Sequence, residues 1–272
     1  MTPERGGCLC SPCAERLALA VIPGVGWSAA ETQAIAREAE EAGFDAIVAA
    51  EANNDVIATA RLMGAATRRI QVGTWIANIY LRHSYTCAQG AALIGNATVG
   101  RFVLGLGVSH QPINQALGIA TPHPLAALHG IMPLFWSAER VALCKTCAAR
   151  GRAKAPELGP LDLTLGIPTF VGDDLAALRE LARQNLVLYT ALPFFQRMFR
   201  DIGFADEAAL MERGEGMAGL SDRLLDAICL LGPRDRRQEQ LTAFPAAGVD
   251  LPILYPPIGT DGARQVIQTF RR

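Results

Sequence analysis

Short runs of apolar residues alternate with longer amphipathic segments along most of the chain. Residues 17–22 form a first apolar run, residues 28–43 have the spacing of an amphipathic helix, and residues 44–50 form a second apolar run. Ser28 can cap this helix, because Glu31 occupies the position that completes a capping box. The pattern therefore predicts a β-α-β unit.

The same alternation continues on both sides of the middle of the chain. The further predicted strands are 70–74, 101–107, 166–171 and 249–255, and the further predicted helices are 56–66, 85–97, one that begins at 173–174, and 221–231. Apolar strands without in/out alternation, separated by helices, are typical of a parallel sheet covered on both faces. Six strands are predicted in total, and residues 137–160 are expected to be irregular or partly helical.

Composition excludes several classes of protein. The chain has 272 residues, of which 50% are hydrophobic and 19% charged, and this excludes a disordered chain. The net charge of −1 gives no field that would attract nucleic acid or anionic lipid. The longest stretch without a charged residue, 102–138, contains several prolines and does not predict a membrane helix. Because no secretory signal is visible at the N-terminus, we expect a cytoplasmic protein.

The cysteines fall into two groups that could supply thiolates to zinc. The groups are Cys8, Cys10 and Cys13, and Cys144 and Cys147. Zinc modules usually bring their ligand pairs close together in sequence. More than a hundred residues separate the two groups here. We therefore predict no metal site.

Several segments resemble the luciferase-like oxidoreductases, in particular the branch that uses the deazaflavin coenzyme F420. The segments are EAEEAGFDAIVAAE (38–51), AATRRIQVGTWIANIYLRH (65–83) and GRFVLGLGVSHQP (100–112) in the first half, and residues 189–207 and 221–233 in the second. The resemblance implies an α/β fold of the (β/α)8 TIM-barrel type. The segment that connects the two similar parts is shorter than is usual in this family. The resemblance therefore implies a barrel that is incomplete around the fifth and sixth strands. We expect a cysteine-containing tail at 1–16 and one barrel domain at 17–272.

Polar residues follow three of the predicted strands, at the end where α/β barrels place their functional groups. Glu51 follows strand 44–50, and the residues alone favour an ordinary loop carboxylate near the start of the next helix. Read with the resemblance, Glu51 and His110 are candidate catalytic residues, because a carboxylate or imidazole beside the coenzyme ring can exchange a proton. The resemblance implies a further set of coenzyme-binding residues: Trp75, Ile76, Ala77, Asn78, Gly107, Val108 and Ser109.

Within this set, the resemblance also implies a cis peptide bond between Trp75 and Ile76 that supports the bent ring from behind. Trp75 stands where the family usually has a small residue. Asn78 can form hydrogen bonds with the polar edge of a ring. Two other motifs are excluded around Gly107, since a dinucleotide fingerprint would need glycine at His110 and a nucleophile elbow would need glycine at Gln111.

Three functions remain open at this point. The first is an F420-dependent oxidoreductase that transfers a hydride between the coenzyme and a small organic substrate. The second is a non-catalytic barrel remnant with weak or no binding of a flavin or deazaflavin. The third is an FMN-dependent luciferase-like monooxygenase, because FMN has a similar tricyclic ring. An incomplete barrel would leave apolar surface uncovered, so we also expect a homodimer.

Overall fold

The structure of the chain, a computed structural model, describes residues 16–119, 135–137, 140–141 and 163–272. The two cysteine groups and most of residues 137–160 lie outside these ranges, and so do the predictions made for them. No helix in the described ranges is long and apolar enough to cross a membrane.

The described residues contain a main parallel sheet and a second, two-stranded one. The strands are β1 (Ala18–Val21), β2 (Ala46–Ala49), β3 (Gln71–Thr74), β4 (Ala77–Asn78), β5 (Phe102–Val103), β6 (Leu106–Gly107), β7 (Thr164–Val171), β8 (Leu230–Gly232) and β9 (Leu251–Tyr255). The main sheet has the order β5-β3-β2-β1-β9-β7-β8, and β4 pairs with β6. Every pair is parallel, as the apolar runs predicted.

Helices connect the strands and cover the sheet. They are α1 (Ala29–Glu41), α2 (Val56–Ala66), α3 (Ser84–Ala97), α4 (Gln111–Ala116), α5 (Leu175–Thr190), α6 (Pro193–Asp201), α7 (Ala205–Glu212), α8 (Gly216–Gly219), α9 (Asp222–Ile228), α10 (Arg234–Ala247) and α11 (Thr260–Thr269). The predicted capping box of α1 is present: the Glu31 amide donates to Ser28 Oγ at 3.2 Å, and the Ser28 amide donates to Glu31 Oε2 at 2.7 Å.

The centre of the sheet is the core of the protein. Leu19 of β1 lies opposite Ile47 of β2, and neither side chain is exposed to solvent. Burying apolar side chains on both faces of these strands is the main stabilising contribution of the sheet. Within the described ranges the sheet is open between β5 and β8. This opening agrees with the prediction of a barrel that is incomplete around its fifth and sixth strands.

Two predicted boundaries were wrong. The helix predicted for 221–231 ends at Ile228, and the next residues form β8, which pairs with β7. Leu230 and Leu231 are completely buried, so their apolar character fits a strand as well as a helix. The strand predicted for 101–107 is divided into β5 and β6. Thr74 Oγ1 donates to the Gly105 carbonyl at 2.7 Å and accepts from its amide at 2.9 Å, which replaces ladder hydrogen bonds at this point.

Candidate functional site

The β4–β6 pair lies just beyond the carboxyl ends of β3 and β5, where ligands bind in folds of this kind. Its register places Asn78 opposite Gly107. The peptide bond between Trp75 and Ile76 is cis, as predicted. Gly107 permits the close approach of the two segments, because a Cβ atom there would lie 2.5 Å from Ile76 Cγ1. The predicted coenzyme-binding residues are therefore brought together from two neighbouring strand ends.

Glu51 forms an ion pair with Arg82 close to this strand pair. The side chains are 3% and 15% exposed, respectively, and both terminal nitrogens of Arg82 donate to the carboxylate. The hydrogen bond to Glu51 is the main cause of a raised pKa of Arg82. The carboxylate also accepts from the amides of Asn78, at 2.7 Å, and of Val56, at 3.3 Å. Glu51 thus connects β4, the start of α2 and the segment before α3.

A pair of buried amide side chains connects β4 to the segment after β6. Asn78 Nδ2 donates to Asn114 Oδ1 at 2.8 Å, and Asn114 Nδ2 donates to the Val108 carbonyl at 2.8 Å. Asn78 Oδ1 also accepts from the Tyr80 amide at 3.1 Å. Asn78 is 2% exposed and Asn114 is fully buried. These contacts favour a supporting role for Asn78 over direct contact with a ligand.

Ser109 and His110, by contrast, are half-buried and have polar atoms available. Ser109 has a left-handed backbone with φ of 56°. No described residue forms a hydrogen bond with the Ser109 hydroxyl or the His110 ring. Burial lowers the pKa of His110, so the imidazole is neutral at pH 7, with one nitrogen as a donor and the other as an acceptor.

Aromatic side chains from the end of β9 and from α5 connect Trp75 to His110. Trp75 contacts Tyr255 edge-on at 6.0 Å between ring centroids, and Tyr189 contacts His110 at 6.3 Å. The two tyrosine hydroxyls are 3.4 Å apart. Burial raises the pKa of both tyrosines, which keeps the hydroxyls protonated. The bulky residue at position 75 therefore packs into an aromatic wall.

Three functional candidates were missed by the sequence analysis. Arg82 and Asn114 contact residues 31 and 36 positions away, respectively, and neither belongs to a motif whose spacing would indicate this contact. A cavity of about 380 Å³ adjoins α6 and contains none of the predicted site residues. Among the described residues, no group of three or more His, Cys, Asp or Glu side chains could hold a metal ion.

Comparison with known proteins agrees with the resemblance found in the sequence. Residues 18–135 match the family model described as luciferase-like monooxygenase. A Mycobacterium tuberculosis protein assigned as a coenzyme F420-dependent oxidoreductase is 37% identical over 90 residues, which are 32% of this chain and 26% of that protein. The 5,10-methylenetetrahydromethanopterin reductase of Methanolobus tindarius is 30% identical over 141 residues, which are 48% of this chain and 42% of that protein.

A structural comparison extends the similarity to nearly the whole chain. The F420-dependent tetrahydromethanopterin reductase of Methanopyrus kandleri superposes with a TM-score of 0.76 and 15% identity, over 93% of this chain and 97% of that one. This similarity shows the fold, and it confirms the predicted α/β class. The sequence matches span less than half the length of each of the two curated relatives.

Proposed function

We propose that this chain is an F420-dependent oxidoreductase that transfers a hydride between the deazaflavin coenzyme and a small organic substrate. One observation carries the proposal: Ser109 and His110 are half-buried at the carboxyl end of β6, and their polar side chains have no hydrogen-bond partner among the described residues. Both side chains are partly exposed, and neither is among the fully buried polar groups without a partner, so solvent and a ligand can reach their polar atoms. The F420-dependent relatives indicate which ligand to test first.

The residues around this point fit a planar, partly polar ring. Ile76 and Val108 are half-exposed apolar side chains, while Ser109 and His110 supply hydrogen-bonding groups beside them. Apolar lining with a few polar groups that fix orientation is the usual character of a cofactor site. When bound, F420 would accept or supply the hydride at its C5 position.

The roles of the chain's own residues follow from their contacts. His110 is neutral, and one imidazole nitrogen would donate a proton to the substrate or accept one from it. Trp75, Ile76 and Ala77 would support the ring from behind, and Asn78 would hold this segment in place through its buried hydrogen bonds. Glu51 would fix this segment through the Asn78 amide, and the earlier expectation that it exchanges a proton with the ligand remains a prediction.

Equilibrium dialysis with F420, and separately with FMN, tests the proposal. We expect one F420 bound per chain, with weaker binding of FMN. His110→Asn and Ser109→Ala should each weaken F420 binding. His83→Asn is the matched control and should leave binding unchanged. The exposed His83 side chain only caps α3, and asparagine is also a good N-cap residue. Preference for FMN would favour a monooxygenase, and failure to bind either compound would favour a non-catalytic barrel.

The proposed assembly is a homodimer acting on a small-molecule substrate. Val103 of β5, at one open edge of the main sheet, is 49% exposed, and Leu106 of β6, in the two-stranded sheet, is 41% exposed. Covering such surface favours association. Sedimentation velocity of the purified chain should give a dimer, and a monomer over the accessible concentration range would refute this part of the proposal.

A further inference from the structure

The cavity beside α6 has a lining that differs from that of the candidate coenzyme site. Its volume is about 380 Å³, and it is bounded by α6 on one side and by Trp136 and Arg140 on the other. Phe194 and Met198 contribute apolar surface to it, and Phe194 is 53% exposed. The volume is sufficient for a small organic molecule.

Positive charge predominates in this lining. Arg140, Arg197 and Arg200 face a single acidic residue of the cavity, Asp201. Arg140 lies 3.8 Å from Asp201, and Arg200 pairs outside the lining with Glu212 at 2.7 Å.

Arg197 makes no ion pair or hydrogen bond with any described residue. Its guanidinium therefore remains available for a negatively charged group.

A buried donor in the same lining also lacks an acceptor. Trp136 is 7% exposed, and its Nε1 is buried without a hydrogen-bond partner in the described part of the chain. The Arg140 guanidinium lies 5.6 Å from the centre of the Trp136 ring, and because it carries only donors it cannot accept from the indole N–H. A buried donor of this kind is uncommon in native proteins, so the indole N–H is a candidate donor to a ligand of this cavity.

We propose that this cavity binds an organic anion. A carboxylate or phosphate group would accept a hydrogen bond from Trp136 Nε1 and pair with Arg197, and a flat or apolar body would lie against Phe194 and Met198. The site goes beyond the proposed oxidoreductase activity, because none of its residues belongs to the candidate coenzyme site and binding needs no hydride transfer. The anion is either a free organic acid or the anionic part of a larger ligand such as F420.

Isothermal titration calorimetry with benzoate, phenyl phosphate and the neutral isostere benzamide tests the proposal on the 272-residue chain. Benzoate and phenyl phosphate should bind, with affinity that falls as the salt concentration rises, and benzamide should bind much more weakly. Arg197→Ala should weaken benzoate binding by about tenfold or more, because it removes the unpaired charge. Trp136→Phe, which removes the N–H and keeps most of the apolar surface, should also weaken it.

Arg61→Ala is the matched control, since Arg61 is exposed on α2 and lies outside the cavity. It should leave benzoate binding unchanged. A chain presaturated with F420 distinguishes the two sources: loss of benzoate binding identifies the coenzyme's anionic part as the occupant, and retained binding identifies a free organic acid. No binding of benzoate or phenyl phosphate, or equal binding of benzamide, or no effect of Arg197→Ala, would overturn the proposal. The titrations of the chain without F420 do not depend on whether the coenzyme binds, so their failure can be distinguished from failure of the proposed function.

Discussion

Replacing Arg82 with methionine should destabilise the chain through one specific residue, Glu51. Methionine keeps most of the length and apolar surface of the arginine stem. It removes the two nitrogens that donate to the Glu51 carboxylate and the positive charge beside it. The carboxylate remains buried, at 3% exposure, with only the amides of Asn78 and Val56 as donors.

The size of the effect follows from these contacts. A hydrogen bond to a charged group contributes about 1.5–3 kcal/mol, and a buried charge that loses its partner is more costly than a lost exposed pair. Because Arg82 is itself 15% exposed, water compensates part of the loss. We expect Arg82→Met to lower the free energy of unfolding by about 2–3 kcal/mol. Glu51→Gln, which still accepts from the Asn78 amide, should lower it by about 1–2 kcal/mol.

Urea unfolding followed by circular dichroism measures both variants and the double variant. If the two side chains stabilise the fold by pairing, the double variant should lose less than the sum of the single losses, with a coupling of about 1–2 kcal/mol. Arg61→Met on α2 serves as the control, because substitution of an exposed arginine should change stability by no more than about 0.5 kcal/mol. All variants should remain folded, since a domain is typically stable by about 5–15 kcal/mol.

Additive losses, within about 0.5 kcal/mol, would refute the reasoning. They would mean that Glu51 and Arg82 act independently and that the pair does not hold β4 in place. A larger loss for Arg61→Met than for Arg82→Met would also contradict it, because the effect would then come from charge in general.

Further predictions concern the segments on either side of β6. Asn114→Ala should lower the free energy of unfolding by about 1–3 kcal/mol, measured in urea, because the buried Asn78 amide loses its acceptor. NMR titration of His110 should give a pKa below its ordinary 6.5. The unfolded chain then binds this proton first, so stability should fall as the pH drops below about 6.5, and His110→Phe should reduce that dependence. Gly107→Ala should destabilise by about 1–3 kcal/mol, because the added Cβ atom would lie 2.5 Å from Ile76 Cγ1. Gly95→Ala in α3, with no atom within 4 Å of the added Cβ, should instead stabilise by about 0.5–1 kcal/mol.

Local sequence patterns were sufficient for most of the fold. The capping box at Ser28 and the apolar run that forms β9 depend on residues close together in the chain, so their structures could be predicted. The boundary between α9 and β8 could not, because Leu230 and Leu231 become buried through pairing with β7, about sixty residues earlier. The division into β5 and β6 likewise depends on a distant side chain, Thr74.

The candidate site was predictable in position but not in the roles of its residues. Strand ends identify Glu51, Asn78 and His110 as neighbours of one edge of the sheet, because parallel strands share that edge. Which of them is available to a ligand depends on contacts formed after folding. Arg82 forms hydrogen bonds with Glu51, and Asn114 forms one with Asn78. The His110 ring has no hydrogen-bond partner among the described residues.

The most direct test of the central claim is transfer of a hydride from reduced F420, observed as the return of the oxidised coenzyme's visible absorbance. Reduced F420 is incubated with the chain and a panel of small carbonyl and alkene compounds. The account predicts that at least one compound restores the absorbance only when the chain is present. It also predicts that His110→Asn slows this step by about a hundredfold or more, while His83→Asn does not. The account would be contradicted if the chain binds reduced F420 but none of the compounds restores the absorbance. It would also be contradicted if the His110→Asn variant oxidises F420 as fast as the unaltered chain.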